Sequence, residues 1–197
     1  MTIVDLLRHG ETERPDVFAG RTDLSLSDAG WGEFERQTAG GSWEAVVSSP
    51  LKRAREAAER LSTAQGFALD IDPDWQEIDL GDWDGQVLTE LRRDPATAQR
   101  LAEIMRDPTL LAAPNGETFD QVKTRVSSAL ERLVLRPGPV LVVAHAGTIR
   151  TAISLACNVP MAALWSLRIG YGTLVRLNIG RHEAHGLWGE IVEVRQP

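Results

Sequence analysis

The stretch Ile3-Val4-Asp5-Leu6-Leu7-Arg8-His9-Gly10-Glu11-Thr12 decides how this chain is read. Ile3, Val4, Leu6 and Leu7 form a mostly apolar run that reads as a buried strand, and Gly10 stops it. An arginine and a histidine therefore stand side by side where a strand leaves the core. Open α/β sheets place their ligands at that position. An imidazole beside a permanent cation, on a rigid strand end, suits chemistry on an anion.

A second run repeats the pattern. Val140-Leu141-Val142-Val143-Ala144, bounded by Pro139 and His145, reads as a central strand buried on both faces. His9 and His145 thus share one context: each ends an apolar strand and precedes glycine directly or after one residue. The chain has only four histidines, and the other two, His182 and His185, fall in an expected hairpin turn. One histidine at a strand end is ordinarily a satisfied surface residue. Two in matching contexts, one beside an arginine, point to imidazoles facing each other across a crevice.

Between and around these strands the pattern alternates. Ser27 is expected to cap a helix over 28–40, and 43–48 reads as a strand. Ser49-Pro50 reads as the N-cap and first position of a second helix, which puts Arg53 in or near its first turn. Positions 67–71 form a short strand, and 73–85 a loop dense in acids and tryptophan. Helical segments follow at 87–93, 95–105 and 118–135, then one from about 147. The tail alternates as a hairpin, with Val175, Leu177 and Ile179 facing one way. The expectation is an α/β fold: a three-layer α/β/α sandwich around a mainly parallel sheet, taken as one domain over 1–197.

Composition narrows the function. Hydrophobic content of 43% and charged content of 25% are ordinary for a soluble globular protein. A net charge of −7 argues against nucleic-acid or membrane-surface binding, which want a basic face. The single cysteine, Cys157, lies in an apolar segment, forbids an intrachain disulfide and fits a reducing, cytoplasmic setting. No basic region precedes the first apolar run, so a cleaved signal peptide is not expected.

Arg8 and Arg53 offer planar donor forks that match phosphate oxygens, and the helix start at Gly147-Thr148 can add backbone N–H groups to the same anion. A carboxylate in the acidic loop would complete an acid–base set. Glu77 lies between Trp75 and Trp83, whose apolar surroundings suit a proton donor, but Asp79, Asp82 and Asp84 compete with it on these grounds.

At this point the residues resemble a family. Arg8-His9-Gly10-Glu11-Thr12 is similar to the signature of the histidine phosphatase superfamily, which includes the cofactor-dependent phosphoglycerate mutases. The resemblance continues in order through Gly20-Arg21-Thr22-Asp23-Leu24-Ser25-Leu26-Ser27, Ser48-Ser49-Pro50-Leu51-Lys52-Arg53-Ala54, Glu77 with Gly81-Asp82-Trp83-Asp84-Gly85, and Val142-Val143-Ala144-His145-Ala146-Gly147. It selects Glu77 over the nearby aspartates. It implies a phosphoglycerate mutase-like fold and a phosphohistidine formed on His9. It also implies that Arg8, Arg53 and His145 hold the phosphoryl oxygens, and that Glu77 gives and takes the proton. Thr12, Arg21 and Gly147 are implied substrate contacts. No metal or other cofactor is required. The expected partner is a small-molecule phosphate ester, with a homodimer as the one self-association entertained.

The chain departs from the family pattern at Glu13-Arg14-Pro15, where asparagine is frequent, at Ala57-Ala58, and at Ala146, which replaces a glycine. Arg14 is thereby expected near the pocket mouth. The compact stretch at about 86–116 is expected to form a small cap. Its Arg92-Arg93 pair matches the mutases poorly, which favours a phosphatase over an isomerase and leaves a non-catalytic binding module as a third reading. Pro114-Asn115-Gly116-Glu117-Thr118-Phe119 and Leu164-Trp165-Ser166-Leu167-Arg168 resemble the α-ribazole phosphatase branch.

Overall fold

The computed structural model describes residues 1–183 and 186–197; the expected place of His185 in a turn lies outside the described residues. In chain order the elements are β1 (Thr2–Arg8), β2 (Val17–Phe18), α1 (Asp28–Thr38), β3 (Ala45–Ser48), α2 (Lys52–Gln65), β4 (Ala68–Ile71), β5 (Gln86–Val87), α3 (Leu88–Leu91), α4 (Pro95–Arg106), α5 (Phe119–Val134), β6 (Val140–Ala144), α6 (Ala146–Cys157), β7 (Leu174–His182) and β8 (Gly186–Arg195). Short 3-10 turns occupy Pro73–Trp75, Gly81–Trp83, Pro108–Leu110 and Met161–Ser166.

Six strands form one sheet in the order β4-β3-β6-β1-β7-β8. The first four run parallel, while β7 is antiparallel to β1 and closes a hairpin with β8. Helices cover both faces, which gives the expected three layers. Val4, Leu6, Val140 and Val142 face α5 and α6, in a core with Val126, Leu130, Ile149 and Ile153. Leu7, Val46, Leu141 and Val143 face the other way, onto Phe34, Ala54 and Ala58. The alternation within β1 and β6 explains why both strands read as continuous apolar runs: each face has a helix to bury.

Asp5 interrupts β1 yet is fully buried. Its carboxylate accepts two bonds from Arg176 of β7, at 2.8 and 2.9 Å, and one from the Trp43 indole at 2.8 Å. A buried carboxylate is tolerated when its lone pairs are filled in this way.

Helix caps follow the sequence, with one exception. Ser27 accepts from Gly30 N–H, and Thr118 with Gln121 forms a reciprocal capping box on α5. The expected Ser49-Pro50 helix start is corrected: α2 begins at Lys52 with Leu51 at the N-cap position. The Ser49 hydroxyl instead accepts from Leu51 N–H at 3.3 Å and is committed elsewhere, as described below. Arg53 still falls in the first turn.

Around Trp83, residues Leu80, Leu91, Leu101 and Ala113 form a small apolar cluster of their own, beside the main cores. Among the described residues no helix is long and apolar enough to cross a membrane.

Candidate active site

Because β1 and β6 are adjacent and parallel, with Arg8 opposite Ala144, His9 and His145 leave the sheet together. Their ring centroids are 5.1 Å apart and their planes are tilted by 59°. His9 Nδ1 lies 2.7 Å from Gly10 O. A carbonyl can only accept, so Nδ1 carries the proton and Nε2 keeps its lone pair. His145 is set the opposite way. Arg53 Nε donates to His145 Nδ1 at 3.3 Å, so Nε2 carries the proton and points at Ser49 Oγ, 2.8 Å away.

Burial, reinforced by the charges of Arg53 and Arg8, holds both histidines well below the usual imidazole range. Both rings are therefore neutral at pH 7. Gly10 makes the turn after β1 possible by close contact: a Cβ there would fall 2.0 Å from Gly30 O in α1.

Arg53 is 1% exposed. Its guanidinium donates to Thr22 O and Gly20 O, each at 2.7 Å, and to Ala19 O at 3.3 Å. The same loop is gripped from the other side by Asp84, whose carboxylate accepts from the backbone N–H groups of Gly20, Arg21 and Thr22 and from the Thr22 hydroxyl. Arg8 donates to Ile169 O at 2.9 Å and lies 4.1 Å from the Tyr171 ring centroid, while its buried Nε has no partner. Among the described residues neither arginine forms an ion pair with a carboxylate, and desolvation lowers the pKa of both. A buried cation and a half-buried one beside two neutral imidazoles form a cluster whose charge suits an anion.

Glu77 faces this cluster from the acidic loop. Its Oε2 accepts from Gly147 N–H at 3.1 Å, and Oε1 from Ile78 N–H at 3.0 Å. The N–H of Gly147 thus serves the carboxylate instead of the anion. The flanking tryptophans do not enclose Glu77 together: Trp75 packs into the main core and Trp83 into the small cluster. The loop is held from below by Arg125 of α5. It donates to the carbonyls of Asp74 (2.7 Å), Gln76 (2.8 Å) and Glu77 (3.2 Å) and pairs in bidentate fashion with Glu117. Glu117 in turn accepts from Asp79 N–H at 2.8 Å. The competing acids have structural jobs. Asp79 accepts from Gly81 N–H, Asp82 binds the Asn115 amide, and Asp84 holds the 20–22 loop.

Arg8, His9, Thr12, Arg53, Glu77 and Gly147 line one cavity of about 380 Å³, with the fully buried His145 behind His9. Arg21 is not in that lining. Its guanidinium is 3.5 Å from Glu117. Arg14 pairs with Asp16 at the surface and does not line the cavity either. Cys157 packs against the core, and burial pushes its thiol up to about 11, which leaves it unsuited to nucleophilic work.

Sequence reasoning missed Ser49 as the partner of His145, Tyr171 over Arg8, Arg150 in the cavity wall, and the Arg125–Glu117 support. Ser49 carried the signal of a cap. Tyr171 is the chain's single tyrosine and sits in a glycine-flanked loop, which is the one hint it gave.

The sequence profile of the Histidine phosphatase superfamily (branch 1) matches residues 4–188. Bifunctional protein Rv2228c of Mycobacterium tuberculosis is 34% identical over 183 residues, which cover 86% of this chain and 48% of that protein. The chain therefore spans about half the length of that relative. An adenosylcobalamin/alpha-ribazole phosphatase of Salmonella typhimurium is 26% identical, with 88% of this chain and 89% of that protein covered. Among solved structures, the native mycobacterial glucosyl-3-phosphoglycerate phosphatase Rv2419c superposes with a TM-score of 0.84 at 25% identity, covering 96% of each chain.

Proposed function

The chain belongs to the histidine phosphatase superfamily, and from that premise we propose that it is a metal-independent phosphomonoesterase working through a phosphohistidine at His9. One observation carries the reading. A neutral imidazole with Nδ1–H fixed on Gly10 O and a bare Nε2 stands beside the buried Arg53 and the half-buried Arg8, neither of which pairs with a carboxylate among the described residues.

In this proposal Arg8 and Arg53 hold the phosphoryl oxygens, and His145 joins them by exchanging its Nε2–H bond to Ser49 Oγ for one to a phosphoryl oxygen. The His9 Nε2 lone pair attacks phosphorus, the bond from phosphorus to the ester oxygen breaks, and Glu77 as a carboxylic acid protonates that oxygen. The imidazole gains positive charge as the N–P bond forms, and the Gly10 carbonyl on Nδ1–H stabilises it. A water then attacks phosphorus and gives its proton to the Glu77 carboxylate, and the N–P bond breaks to release phosphate and restore His9. Arg53 and Arg8 offset the charge on the transferring group. We further propose that the segment 86–116 caps the cavity of a single domain. Arg92 and Arg93 lie outside the cavity lining, and Arg93 ion-pairs with Glu90 at 2.5 Å, so the arginine pair is not placed for a mutase. α-Ribazole 5′-phosphate is the substrate to test first, given the α-ribazole phosphatase relatives.

The test is release of inorganic phosphate from a panel of phosphate esters with chelator present, 3-phosphoglycerate included. The expected result is hydrolysis without added metal and an acid-labile, base-stable phosphoenzyme that vanishes in His9→Ala, with kcat down by at least about 10³-fold. Phosphoglycerate interconversion without comparable phosphate release, or near-normal turnover in His9→Ala, would sink the proposal.

A further inference from the structure

The placement of Arg8 depends on one short segment, residues 169–173. The Ile169 carbonyl accepts from Arg8 Nη1 at 2.9 Å, and the guanidinium carbon sits over the Tyr171 ring, 4.1 Å from its centroid. The segment is tied back onto the strand it serves. Arg8 N–H donates to Thr173 O at 2.9 Å, and Gly172 N–H donates to His9 O at 3.1 Å. Thr173 N–H closes on Gly170 O at 3.2 Å, a β-turn with Tyr171 in its second position. Gly172 takes the third, where φ is +64° and glycine carries no steric penalty.

The two contacts constrain the guanidinium in different ways. The carbonyl fixes one N–H, and the ring fixes the plane of the whole group. The buried Arg8 Nε has no partner among the described residues, so the Ile169 bond alone would leave the fork free to turn about it. Arginine has much rotamer freedom to lose, and the electron-rich face of a phenol ring is a favourable surface for a planar cation. A cation that is oriented beforehand stabilises developing charge without reorganising during the reaction. The same ring lies 5.6 Å from the His9 ring, tilted by 52°, and lines the cavity. Tyr171 therefore borders the nucleophile and the cation at once.

We infer that Tyr171 is a positioning residue, whose ring face holds the Arg8 guanidinium in the plane from which it meets a phosphoryl oxygen beside His9. The inference rests on the phosphomonoesterase reading. It assigns the effect to the aromatic ring and not to the phenol hydroxyl.

The test is a double-mutant cycle on kcat/KM for p-nitrophenyl phosphate. Tyr171→Leu should lower kcat/KM about tenfold, the size of a desolvated cation–π contact, while Tyr171→Phe stays within about twofold of the parent. A space-filling role would give the same loss whatever stands at position 8. The positioning role predicts that Tyr171→Leu costs less than about twofold in an Arg8→Met background, where no guanidinium remains to be oriented. Tyr171→Met, which has no π face, takes the place of the leucine variant if that one does not fold. Calorimetry with inorganic phosphate repeats the cycle on the whole protein as a binding measurement and should show the same pattern.

Equal losses in both backgrounds, a Tyr171→Phe variant as impaired as Tyr171→Leu, or unchanged activity in Tyr171→Leu would each overturn the positioning role and leave the phosphatase reading standing. If the parent hydrolyses no ester, the phosphatase reading fails and the phosphate-binding cycle decides alone. A Tyr171 effect that needs Arg8 then upholds the positioning role; an effect independent of Arg8, or no phosphate binding at all, overturns it.

Discussion

At the scale of single residues, Gly147 carries the sharpest consequence. A Cβ at that position would fall 2.5 Å from Glu77 Oε1 and 2.7 Å from Ile78 Cδ1. The colliding groups are ends of flexible side chains, so Gly147→Ala can be accommodated by moving the carboxylate. In the proposed mechanism the cost then falls on proton transfer and not on folding. We expect Gly147→Ala to keep its Tm within a few degrees of the parent and to lose about 10²-fold in kcat on alkyl phosphates. The loss should be under about tenfold on p-nitrophenyl phosphate, whose leaving group scarcely needs an acid. Equal losses on both esters would show that Glu77 is not the proton donor. This residue also shows where local sequence stops being informative. The His9 and His145 strand ends were legible because an apolar run that ends in histidine is a local pattern. Glu77 among Asp79, Asp82 and Asp84 was not, because what separates them is which carboxylate meets Gly147 N–H, 70 positions along the chain.

At the scale of elements, α5 holds the Glu77 loop from below and lends Phe119 to the cavity lining. Arg125 spends its guanidinium on the carbonyls of Asp74, Gln76 and Glu77 and on Glu117. In the sequence Arg125 looks like the polar face of an amphipathic helix, and Glu117 like a residue before a cap. Neither pattern reveals that the pair holds a loop. Arg125→Ala leaves three loop carbonyls and a half-buried Glu117 without their donor. It should cost about 3 kcal/mol in unfolding free energy and lower kcat on alkyl phosphates with little change in KM. Arg125→Lys cannot restore the planar fork and should recover stability better than rate. An unchanged kcat in either variant, read beside denaturant unfolding, would mean that the Glu77 loop keeps its position unaided. The Ser49 correction belongs here too: serine before proline is a good helix-start signal, but the hydroxyl is taken by His145 and the helix begins later.

Across the whole molecule, the buried imidazoles tie stability to pH. His9 and His145 have folded-state pKa values well below the unfolded value of 6.5, chiefly through desolvation and then through Arg53. Between the folded and unfolded values the unfolded chain binds protons that the folded chain does not. Stability therefore rises with pH through that window and is lost as pH falls below about 6.5. A thermal series from pH 7.5 to 4.5 should show Tm flat above neutrality and declining below it, with a shallower decline in His145→Gln. An identical acid slope in that variant would remove His145 from the account.

The order of the sheet has one more consequence. The strand that delivers His9 pairs with β6 on one side and β7 on the other, from residues 140–144 and 174–182. Neither neighbour is made until two-thirds of the chain has passed. The earlier strands β3 and β4 pair with each other, but the gap between β3 and β1 stays open until β6 fills it. Folding must then close its longest loops to seat the middle of the sheet, a slow kind of step because the entropy is lost before the contacts form. The insertion of β6 brings His145 beside His9 and closes the gap in the same event, so the paired imidazoles exist only once the sheet is continuous.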